Sequence, residues 1–506
     1  MGRLRFLHPV LFLIGSILLL YSHTSIFVSP DQVVRPLLLL VAVLVLLARP
    51  AFWLAGDWDG AFILLSLFVL GVCAYPPFFY AAVAVSAVSV VLWLILCRIH
   101  QRRVRLVEVN GVLSFVGFLL VIILTVLLGR QLISLPGRGA PSSSSQANLR
   151  SAKGTPDIYY IVLDGYARAD VLADLYGFDN SDFVQFLLSR GFVVPARSRA
   201  NYSITALSVA STLNMDYIDA FAPGLKGYPY WWLMSPYIDH SRVRTFLEQR
   251  GYRSVALGTN WGITDNPTAD VYLSRKALVL TDFEFGLLTV TPLRFISPLL
   301  SHIASVPSFG AHRESIRFSF NTLRAVPGLA GPKFVFTHII APHAPFVLSA
   351  DGKPIEPGYR FGLGDGNECP LSDEQYGEGY VGQLQFVNSQ LETVIDAILR
   401  ESATPPVILL QADHGPGMLT DFRSSGNTCL RERFSVFAAY LLPGVGPSAV
   451  PADMTPVNLF RMLFNHYFSA DLPSLPNIHL FSSSGYVFRP DDVTSRVDTC
   501  TANERK

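Results

Sequence analysis

The chain has 506 residues, a net charge of +1 and only 15% charged residues. Half of its residues are hydrophobic and its mean hydropathy is +0.37, whereas an ordinary soluble domain has about a quarter of its residues charged. The balanced charge argues against a nucleic-acid partner. The length accommodates a membrane module followed by a large water-soluble domain.

Apolar runs precede residue 130 and predict a membrane module of about five transmembrane helices over residues 1–129. They lie near 6–22, 35–48, 60–78, 79–97 and 111–129. Several approach the roughly 20 residues that span a bilayer, and the second is short. With five spans, all the basic groups fall on one side, which should be cytoplasmic: Arg3, Arg5, Arg49, Arg98, Arg102, Arg103 and Arg105. The odd number of spans then places the rest of the chain outside the cytoplasm. The alternative is a bundle of buried soluble helices.

A polar stretch over 130–156, with Pro136-Gly137 and a run of serines, predicts a flexible linker to a domain over 157–506. Strands alternate with helices in that domain: strands at 158–163, 253–257, 333–340 and 406–411, and helices at 181–190, 206–213, 242–250 and 380–399. This alternation predicts an α/β domain with a mostly parallel sheet covered by helices on both faces. We expect the Gly- and Pro-rich stretch 350–378 to form an irregular surface loop.

Acidic residues follow two of the predicted strands. Asp164-Gly165 ends the first strand, and Asp413-His414-Gly415 follows the strand at 406–411. Because the carboxyl ends of parallel strands meet at one edge of a sheet, these side chains can converge. Two carboxylates and an imidazole suit a divalent cation of the Zn or Mn type, in preference to Mg or Ca. The alternative is that each aspartate caps a following helix.

A hydroxyl-rich loop precedes a helix in the segment 201-NYSITALSVASTLN-214. A helix N-terminus favours anions such as phosphate, and a metal-ligated hydroxyl there can ionise and attack phosphorus. Thr205 and Ser203 are the candidate nucleophiles. The alternative is a helix cap followed by a buried helix.

The segment 337-THIIAPHAPF-346 contains two histidines after an apolar strand. His343 lies further past the strand and is placed to bind a phosphate oxygen or to protonate a leaving group. His338 lies inside the apolar run and is also explained as a hydrogen-bonded core residue. Arg433 is a candidate for substrate binding, with a solvated or salt-bridged surface position as the alternative.

The soluble part contains Cys369, Cys429 and Cys500, and the chain has no CxxC pair, which excludes a zinc ribbon. Outside the cytoplasm Cys369 and Cys429 could form a disulfide, because both lie in loop-like sequence.

These elements, in this order, resemble the alkaline phosphatase/sulfatase superfamily over most of 157–480: a strand ending in Asp-Gly, a hydroxyl at a helix start, a proline-flanked His and a late Asp-His-Gly. With the preceding apolar runs, the chain resembles lipoteichoic acid synthases and lipid A phosphoethanolamine transferases. The resemblance implies that Asp164, Thr205, Asp413 and His414 bind the metal. It implies that Thr205 is the nucleophile, with Ser203 as the fallback, and that His343 contacts the substrate. We expect one metal ion at this site, with a second ion as the alternative.

The chain departs from these families at two points. The region 198–214 has no Cys/Ser-x-Pro-x-Arg motif, which argues against sulfate ester hydrolysis by the formylglycine mechanism. The membrane transferases commonly have Glu where this chain has Asp164. In that respect Asp-Gly-Tyr-x-Arg resembles phosphodiesterases of the nucleotide pyrophosphatase type and the enzymes that add ethanolamine phosphate to GPI anchors.

The resemblance implies a multi-pass protein of the bacterial cytoplasmic (inner) membrane whose C-terminal domain faces away from the cytoplasm. The implied activity is metal-dependent transfer of a phospho-headgroup from a membrane lipid to an envelope glycan or lipid, through a phospho-threonine. The alternatives are a phosphodiesterase or sulfatase-like hydrolase that uses the same site, and a catalytically silent membrane scaffold.

Overall fold

The structure is a computed structural model that describes residues 6–25, 28–73, 106–133, 155–259, 261–275, 280–291 and 307–500. The α-helices in these ranges are α1 (His8–Thr24), α2 (Val34–Ala55), α3 (Trp58–Cys73), α4 (Leu106–Ile133), α5 (Ala169–Tyr176), α6 (Ser181–Ser189), α7 (Thr205–Asn214), α8 (Ile218–Phe221), α9 (Ser235–Asp239), α10 (Arg242–Glu248), α11 (Asp282–Val290), α12 (Phe309–Ala325), α13 (Asp373–Glu401), α14 (Leu430–Phe434) and α15 (Pro456–Phe468). The strands are β1 (Ile158–Leu163), β2 (Arg253–Leu257), β3 (Val271–Leu273), β4 (Lys333–Ile339), β5 (Val407–Ala412), β6 (Ala438–Leu441), β7 (Leu480–Phe481) and β8 (Asp491–Asp492).

The chain divides into two compact units. The first comprises residues 1–136 and 278–306, and the second comprises residues 137–277 and 307–506. The chain therefore passes between the units three times, and α11 belongs to the first unit although its sequence interrupts the second. The boundaries expected from the sequence, with a linker over 130–156, stay a prediction.

The first unit consists of apolar helices. Among its described residues, two helical segments are long and apolar enough to cross a membrane by length and composition: Pro30–Ala55, with 26 residues, and Glu108–Gly129, with 22 residues. The helices α1 and α3 are apolar but shorter. The run at 35–48 thus forms part of a longer helix than its sequence indicated. The run at 79–97 lies outside the described residues, and the number of spans stays a prediction.

Specific contacts hold α11 within the first unit. Phe283 is fully buried and its ring lies 6.4 Å from the ring of Tyr21. The backbone N–H of Phe283 donates to Gln32, and the Arg35 guanidinium forms an ion pair with Glu284. Composition along the chain did not indicate this docking, because it depends on pairs of residues about 250 positions apart.

The second unit is built on a six-stranded sheet of order β3-β2-β4-β1-β5-β6. The pairs are parallel except for β5 with β6. The strands β1, β2, β4 and β5 lie at or within one residue of their predicted bounds. The prediction of a mostly parallel α/β sheet is confirmed.

Both faces of this sheet are covered, as its side-chain alternation requires. Tyr159, Ile161 and Leu163 of β1 pack in one apolar core with α5, α6, α12 and α13. Ile158, Tyr160 and Val162 pack in the opposite core with α7, α9, α10 and α15. A strand buried on both faces reads as the continuous apolar run that the sequence shows.

Two predictions about the segment between β4 and α14 are wrong. Cys429 forms a disulfide with Cys500 rather than with Cys369, and the Cα atoms of the bridged pair lie 3.8 Å apart. Cys369 is buried. The two bridged cysteines also pair as an antiparallel β-bridge, which brings the C-terminal segment alongside. The stretch 350–378 is not all surface loop: Asp365 is buried, and α13 begins at Asp373 behind a Ser372–Gln375 capping box.

Candidate active site

The central strands of the sheet bring the predicted acidic residues together. Leu163, the last residue of β1, lies in register with Ala412 of β5 on one side and with Ile339 of β4 on the other. The next residues, Asp164 and Asp413, therefore leave the sheet at the same level. The register of three adjacent parallel strands thus places side chains from distant parts of the sequence at one edge.

Asp164, Asp413 and His414 each offer one ligand atom, and these atoms all lie within 4.8 Å of one another. All three residues are at most 3% exposed. Asp164 Oδ1 and Asp413 Oδ2 accept no hydrogen bond from any described residue, and both lie within 3.5 Å of His414 Nε2. Buried carboxylate oxygens that face one another without donors fit a cation, because a positive charge offsets both their repulsion and their desolvation. The donor set of two carboxylates and an imidazole suits Zn or Mn.

Thr205 begins α7, and its Oγ1 lies 2.9 Å from His414 Nε2. Every residue of α7 is buried, so the helix N-terminus is held against the site by packing rather than by a surface loop. His414 Nδ1 lies 2.9 Å from its neighbour's carbonyl, Gly415 O. The carbonyl requires an N–H there, which leaves the Nε2 lone pair free for Thr205 or a cation. Burial and Arg433 lower the pKa of His414, which favours this neutral ring.

Glycines after the two aspartates have steric roles. Gly165 has φ +72°, a left-handed conformation, and its N–H donates to Asp413 Oδ1 at 3.2 Å. A Cβ on Gly415 would lie 1.9 Å from Glu432 O, so only glycine fits there. Ser208 Oγ, one turn into α7, donates to Asp413 O at 2.6 Å. The Asp-Gly and Asp-His-Gly motifs are therefore backbone requirements as well as ligand positions.

Ser203 occupies a different environment from Thr205. Its Oγ accepts a hydrogen bond from Ser482 N at 2.9 Å, and its carbonyl accepts one from Arg433 Nε at 2.7 Å. Ser203 is fully buried, and these hydrogen bonds hold the loop before α7 in place. Of the two candidate nucleophiles, the structure brings Thr205 to the Asp164–Asp413–His414 cluster.

His343 lies beside this cluster, and its backbone N–H donates to Asp164 O at 3.0 Å. Its Nε2 lies 3.6 Å from Asp365 Oδ2. Burial alone would lower the pKa of His343, but the Asp164 and Asp365 carboxylates outweigh it and raise the pKa. Burial would raise the pKa of Asp365, whereas His343 and Arg433 lower it to about 2. The pair therefore favours a protonated imidazole beside an ionised carboxylate.

Arg433 is buried rather than on a solvated surface, with 1% of its area exposed. Its Nη1 donates to Asp365 Oδ2 at 2.8 Å and to Gly415 O at 2.9 Å. Together with the Nε bond to Ser203 O, these contacts connect three loops of the site. Two nearby arginines instead form surface ion pairs: Arg431 with Asp170 and Asp174, and Arg168 with Asp170. Substrate binding by Arg433 stays a prediction.

Sequence reasoning missed Asp365 and left His338 open between a site residue and a hydrogen-bonded core residue. His338 Nε2 lies 3.2 Å from Asp164 Oδ2, and its Nδ1 lies 2.9 Å from Thr264 Oγ1. Asp365 lies in the stretch expected to be a surface loop. Burial would raise the pKa of Asp164, but His343, His338 and His414 outweigh it and lower the pKa below its usual range. The available signal for His338 was a titratable residue near the end of an apolar strand.

Among known proteins, similarity to this chain is found in solved structures. No protein-family model matches the chain, and a search of curated proteins finds no relative. One similar solved structure is the C-terminal periplasmic domain of EptC from Escherichia coli in complex with Zn, with 10% identity and a TM-score of 0.45; the match covers 72% of this chain and 100% of that one. A second is the integral membrane lipooligosaccharide phosphoethanolamine transferase EptA from Neisseria meningitidis, with 11% identity and a TM-score of 0.38; the match covers 79% of this chain and 74% of that one. A third is an alkaline phosphatase superfamily protein from Vibrio parahaemolyticus, with 11% identity and a TM-score of 0.37; the match covers 70% of this chain and 80% of that one.

At such low identity and TM-score, the likeness carries neither a family nor an activity to this chain. The chemistry of the site residues supports the function proposed below.

Proposed function

We propose that this protein is a metal-dependent transferase that moves a phospho-headgroup from a membrane lipid to an envelope glycan or lipid through a phospho-threonine at Thr205. The observation that carries this proposal is the contact of Thr205 Oγ1 with His414 in a buried cluster in which Asp164 Oδ1 and Asp413 Oδ2 have no donor among the described residues. A hydroxyl at a helix N-terminus beside ligands for a cation is the arrangement that phosphoryl transfer requires.

Asp164, Asp413 and His414, with Thr205 Oγ1, would hold the cation, and one ion accounts for the cluster. When bound, a Zn or Mn ion would lower the pKa of the threonine hydroxyl and offset negative charge on the phosphoryl oxygens. The burial of the cluster keeps water from competing for these positions. His414 and Gly165 hold the ligand oxygens in place by the contacts described above.

Thr205 first gives its hydroxyl proton to solvent, and its ionised oxygen then attacks the phosphorus of a lipid phosphodiester. A P–O bond forms to Thr205 Oγ1, and the P–O bond to the lipid alcohol breaks. The leaving alkoxide takes a proton from His343, whose pKa the neighbouring carboxylates raise. In the second half, His343 accepts the proton of an acceptor hydroxyl, whose oxygen attacks the phospho-threonine and releases Thr205.

The first unit suits a lipid donor, because two of its helical segments are long and apolar enough to cross a bilayer. We place the protein in the bacterial cytoplasmic membrane with the second unit outside the cytoplasm, where the Cys429–Cys500 disulfide is stable. The acceptor is a hydroxyl of an envelope glycan or lipid.

The test uses the full-length protein in detergent with vesicles of phosphatidylethanolamine and phosphatidylglycerol labelled in their headgroups. We expect a headgroup-sized mass increase on the peptide that contains Thr205, and its loss in Thr205→Ala. Ser203→Ala is the matched control. Absence of any adduct together with absence of bound metal would overturn the proposal in favour of a silent scaffold. Diglyceride release that is independent of any added glycan or lipid acceptor would favour a hydrolase.

A further inference from the structure

Arg433 is a buried arginine whose main chain is fixed to the Asp-His-Gly loop. Its carbonyl accepts a hydrogen bond from Gly415 N at 2.7 Å, and only 1% of the residue is exposed. Burying a guanidinium costs free energy unless the group is paired and hydrogen-bonded. The partners of this side chain therefore indicate why a charge is kept at this position.

The side chain of Arg433 spans two loops of the site. Nε donates to Ser203 O at 2.7 Å, and Ser203 lies two residues before Thr205. Nη1 donates to Gly415 O at 2.9 Å, the same carbonyl that lies 2.9 Å from His414 Nδ1. One planar group thus connects the loop that ends at Thr205 with the loop that carries His414.

Neighbouring side chains fix the orientation of this guanidinium. Asp365 Oδ2 accepts from Arg433 Nη1 at 2.8 Å, and Asp365 Oδ1 accepts from Tyr376 OH at 2.7 Å. The Tyr376 hydroxyl is itself held, because its oxygen accepts from Gly417 N at 2.9 Å. The Phe422 ring centre lies 5.0 Å from the guanidinium carbon. The rigid fork of the guanidinium can therefore set the separation of the two loops that it joins.

These contacts differ from those of a residue that only binds substrate. Nε and Nη1 are occupied by protein oxygens, and direct binding of substrate would use Nη2, which donates to no described residue. Loss of the two loop contacts would instead alter the 2.9 Å contact of Thr205 Oγ1 with His414 Nε2. A displacement of about 1 Å at a reacting atom can cost on the order of 10²-fold in rate.

We propose that Arg433 is a positioning residue, which holds Thr205 Oγ1 against His414 Nε2 by spanning the two loops that carry them. This inference rests on the proposed function, since it takes Thr205 to be the nucleophile. Positioning of the nucleophile and direct binding of substrate predict different results for the same variant.

The deciding variant is Arg433→Lys, which keeps the positive charge beside Asp365. A lysine has a single nitrogen on a flexible stem and cannot reproduce the planar fork between Ser203 O and Gly415 O. The matched control is Arg431→Lys, which makes the same change in the same helix at a residue that forms surface ion pairs.

The readout compares orthovanadate with inorganic phosphate on the Zn-loaded full-length protein by titration calorimetry, with metal content measured on each sample. Orthovanadate mimics the transition state by adding the nucleophile oxygen as a fifth ligand, so its affinity depends on where Thr205 Oγ1 lies. Phosphate does not require that oxygen. We expect Arg433→Lys to weaken vanadate binding by roughly tenfold to a hundredfold. Phosphate affinity should stay within about twofold of the wild type. Arg431→Lys should bind both anions as the wild type does.

Two results for Arg433→Lys would overturn the proposal. An unchanged ratio of vanadate to phosphate affinity, whatever the change in melting temperature, would leave Arg433 a structural role only. Equal weakening of both anions would make it a substrate-binding residue.

The double variant Arg433→Met, Asp365→Asn provides the same comparison if Arg433→Lys does not fold. It leaves no unpaired charge in the interior, and the amide oxygen can still accept from Tyr376 OH. It should lose the preference for vanadate as well, and retention of that preference would contradict the proposal. Failure of the proposed function gives a different result, namely a wild-type protein whose vanadate affinity does not change in Thr205→Ala.

Discussion

Thr205 Oγ1 lies 2.9 Å from His414 Nε2, although 209 residues separate them in the chain. The contact joins the first residue of α7 to the residue that follows Asp413. It makes one hydroxyl of the 201–214 segment chemically distinct from its neighbours.

Replacing that hydroxyl should separate the two candidate nucleophiles. We expect Thr205→Ala to lower headgroup transfer by on the order of 10³-fold or more, because no other group can carry the covalent intermediate. Ser203→Ala should keep most of the activity and lose about 1–3 kcal/mol of stability, since the backbone N–H of Ser482 loses its acceptor. Adduct mass and thermal unfolding measure the two effects. Transfer that survives in Thr205→Ala and disappears in Ser203→Ala would reverse the assignment.

Metal binding should appear as a gain in stability. A ligand at one hundred times its Kd that binds only the folded state adds about 2.7 kcal/mol, so Zn²⁺ or Mn²⁺ should raise the melting temperature of the wild-type protein. Asp413→Asn should abolish this rise, while an amide oxygen keeps the bond from Gly165 N–H. After chelation we expect the variant to be at least as stable as the wild type, because one of two facing carboxylates is neutral. An equal metal-dependent rise in both proteins would place the ion elsewhere.

Glu432 should make stability fall with rising pH. Burial raises its pKa to about 8 from 4.5, although Tyr176 OH and Leu419 N–H donate to it. Between pH 4.5 and about 8, the Glu432 carboxyl is ionised in the unfolded chain and protonated in the folded protein. The unfolded state therefore binds fewer protons, and the free energy of unfolding falls as the pH rises through this range.

The isosteric variant Glu432→Gln removes this titration. We expect its melting temperature relative to the wild type to increase between pH 6 and pH 9 by on the order of 5 °C. Differential scanning calorimetry at several pH values provides the measurement. A difference that stays constant with pH would mean that the carboxyl is ionised in the folded protein throughout.

The disulfide between Cys429 and Cys500 closes a loop with a sequence separation of 71 residues. Chain-entropy arguments give such a cross-link about 4 kcal/mol of stabilisation. Cys500→Ser should therefore lower the unfolding free energy by several kcal/mol, whereas Cys369→Ser should leave the bridge intact. Mass mapping of non-reduced peptides checks the pairing. A Cys369–Cys429 peptide from the wild-type protein would restore the pairing expected from sequence.

Local sequence was sufficient for the strands at the centre of the sheet. The apolar runs of β1 and β5 are buried on both faces, and each ends abruptly at an aspartate. The short strands β3 and β6 and the docking of α11 in the first unit were not predicted. Three- and four-residue strands carry too little periodicity to recognise, and α11 is placed by Phe283 and Glu284 meeting residues far away in the sequence.

The site residues likewise divide into those that local sequence indicated and those that it did not. Asp164, Asp413, His414, Thr205 and His343 were found because each follows a strand or begins a helix, where local pattern indicates exposure at a sheet edge. Asp365 was not found, because an irregular segment gives no local sign of where its side chains lie. His338 was left open, because a histidine inside an apolar strand is equally explained as a hydrogen-bonded core residue.

The sequence by itself determined the apolar first part of the chain, the α/β second part and the residue types of the candidate site. The chemistry of each side chain and the period of each element are local properties that the sequence carries directly. Only the tertiary structure decided that Thr205 rather than Ser203 reaches His414, that Cys429 pairs with Cys500, and that Arg433 bonds to Asp365. Those outcomes depend on strand register and loop packing, in which a shift of one residue turns a side chain to the opposite face.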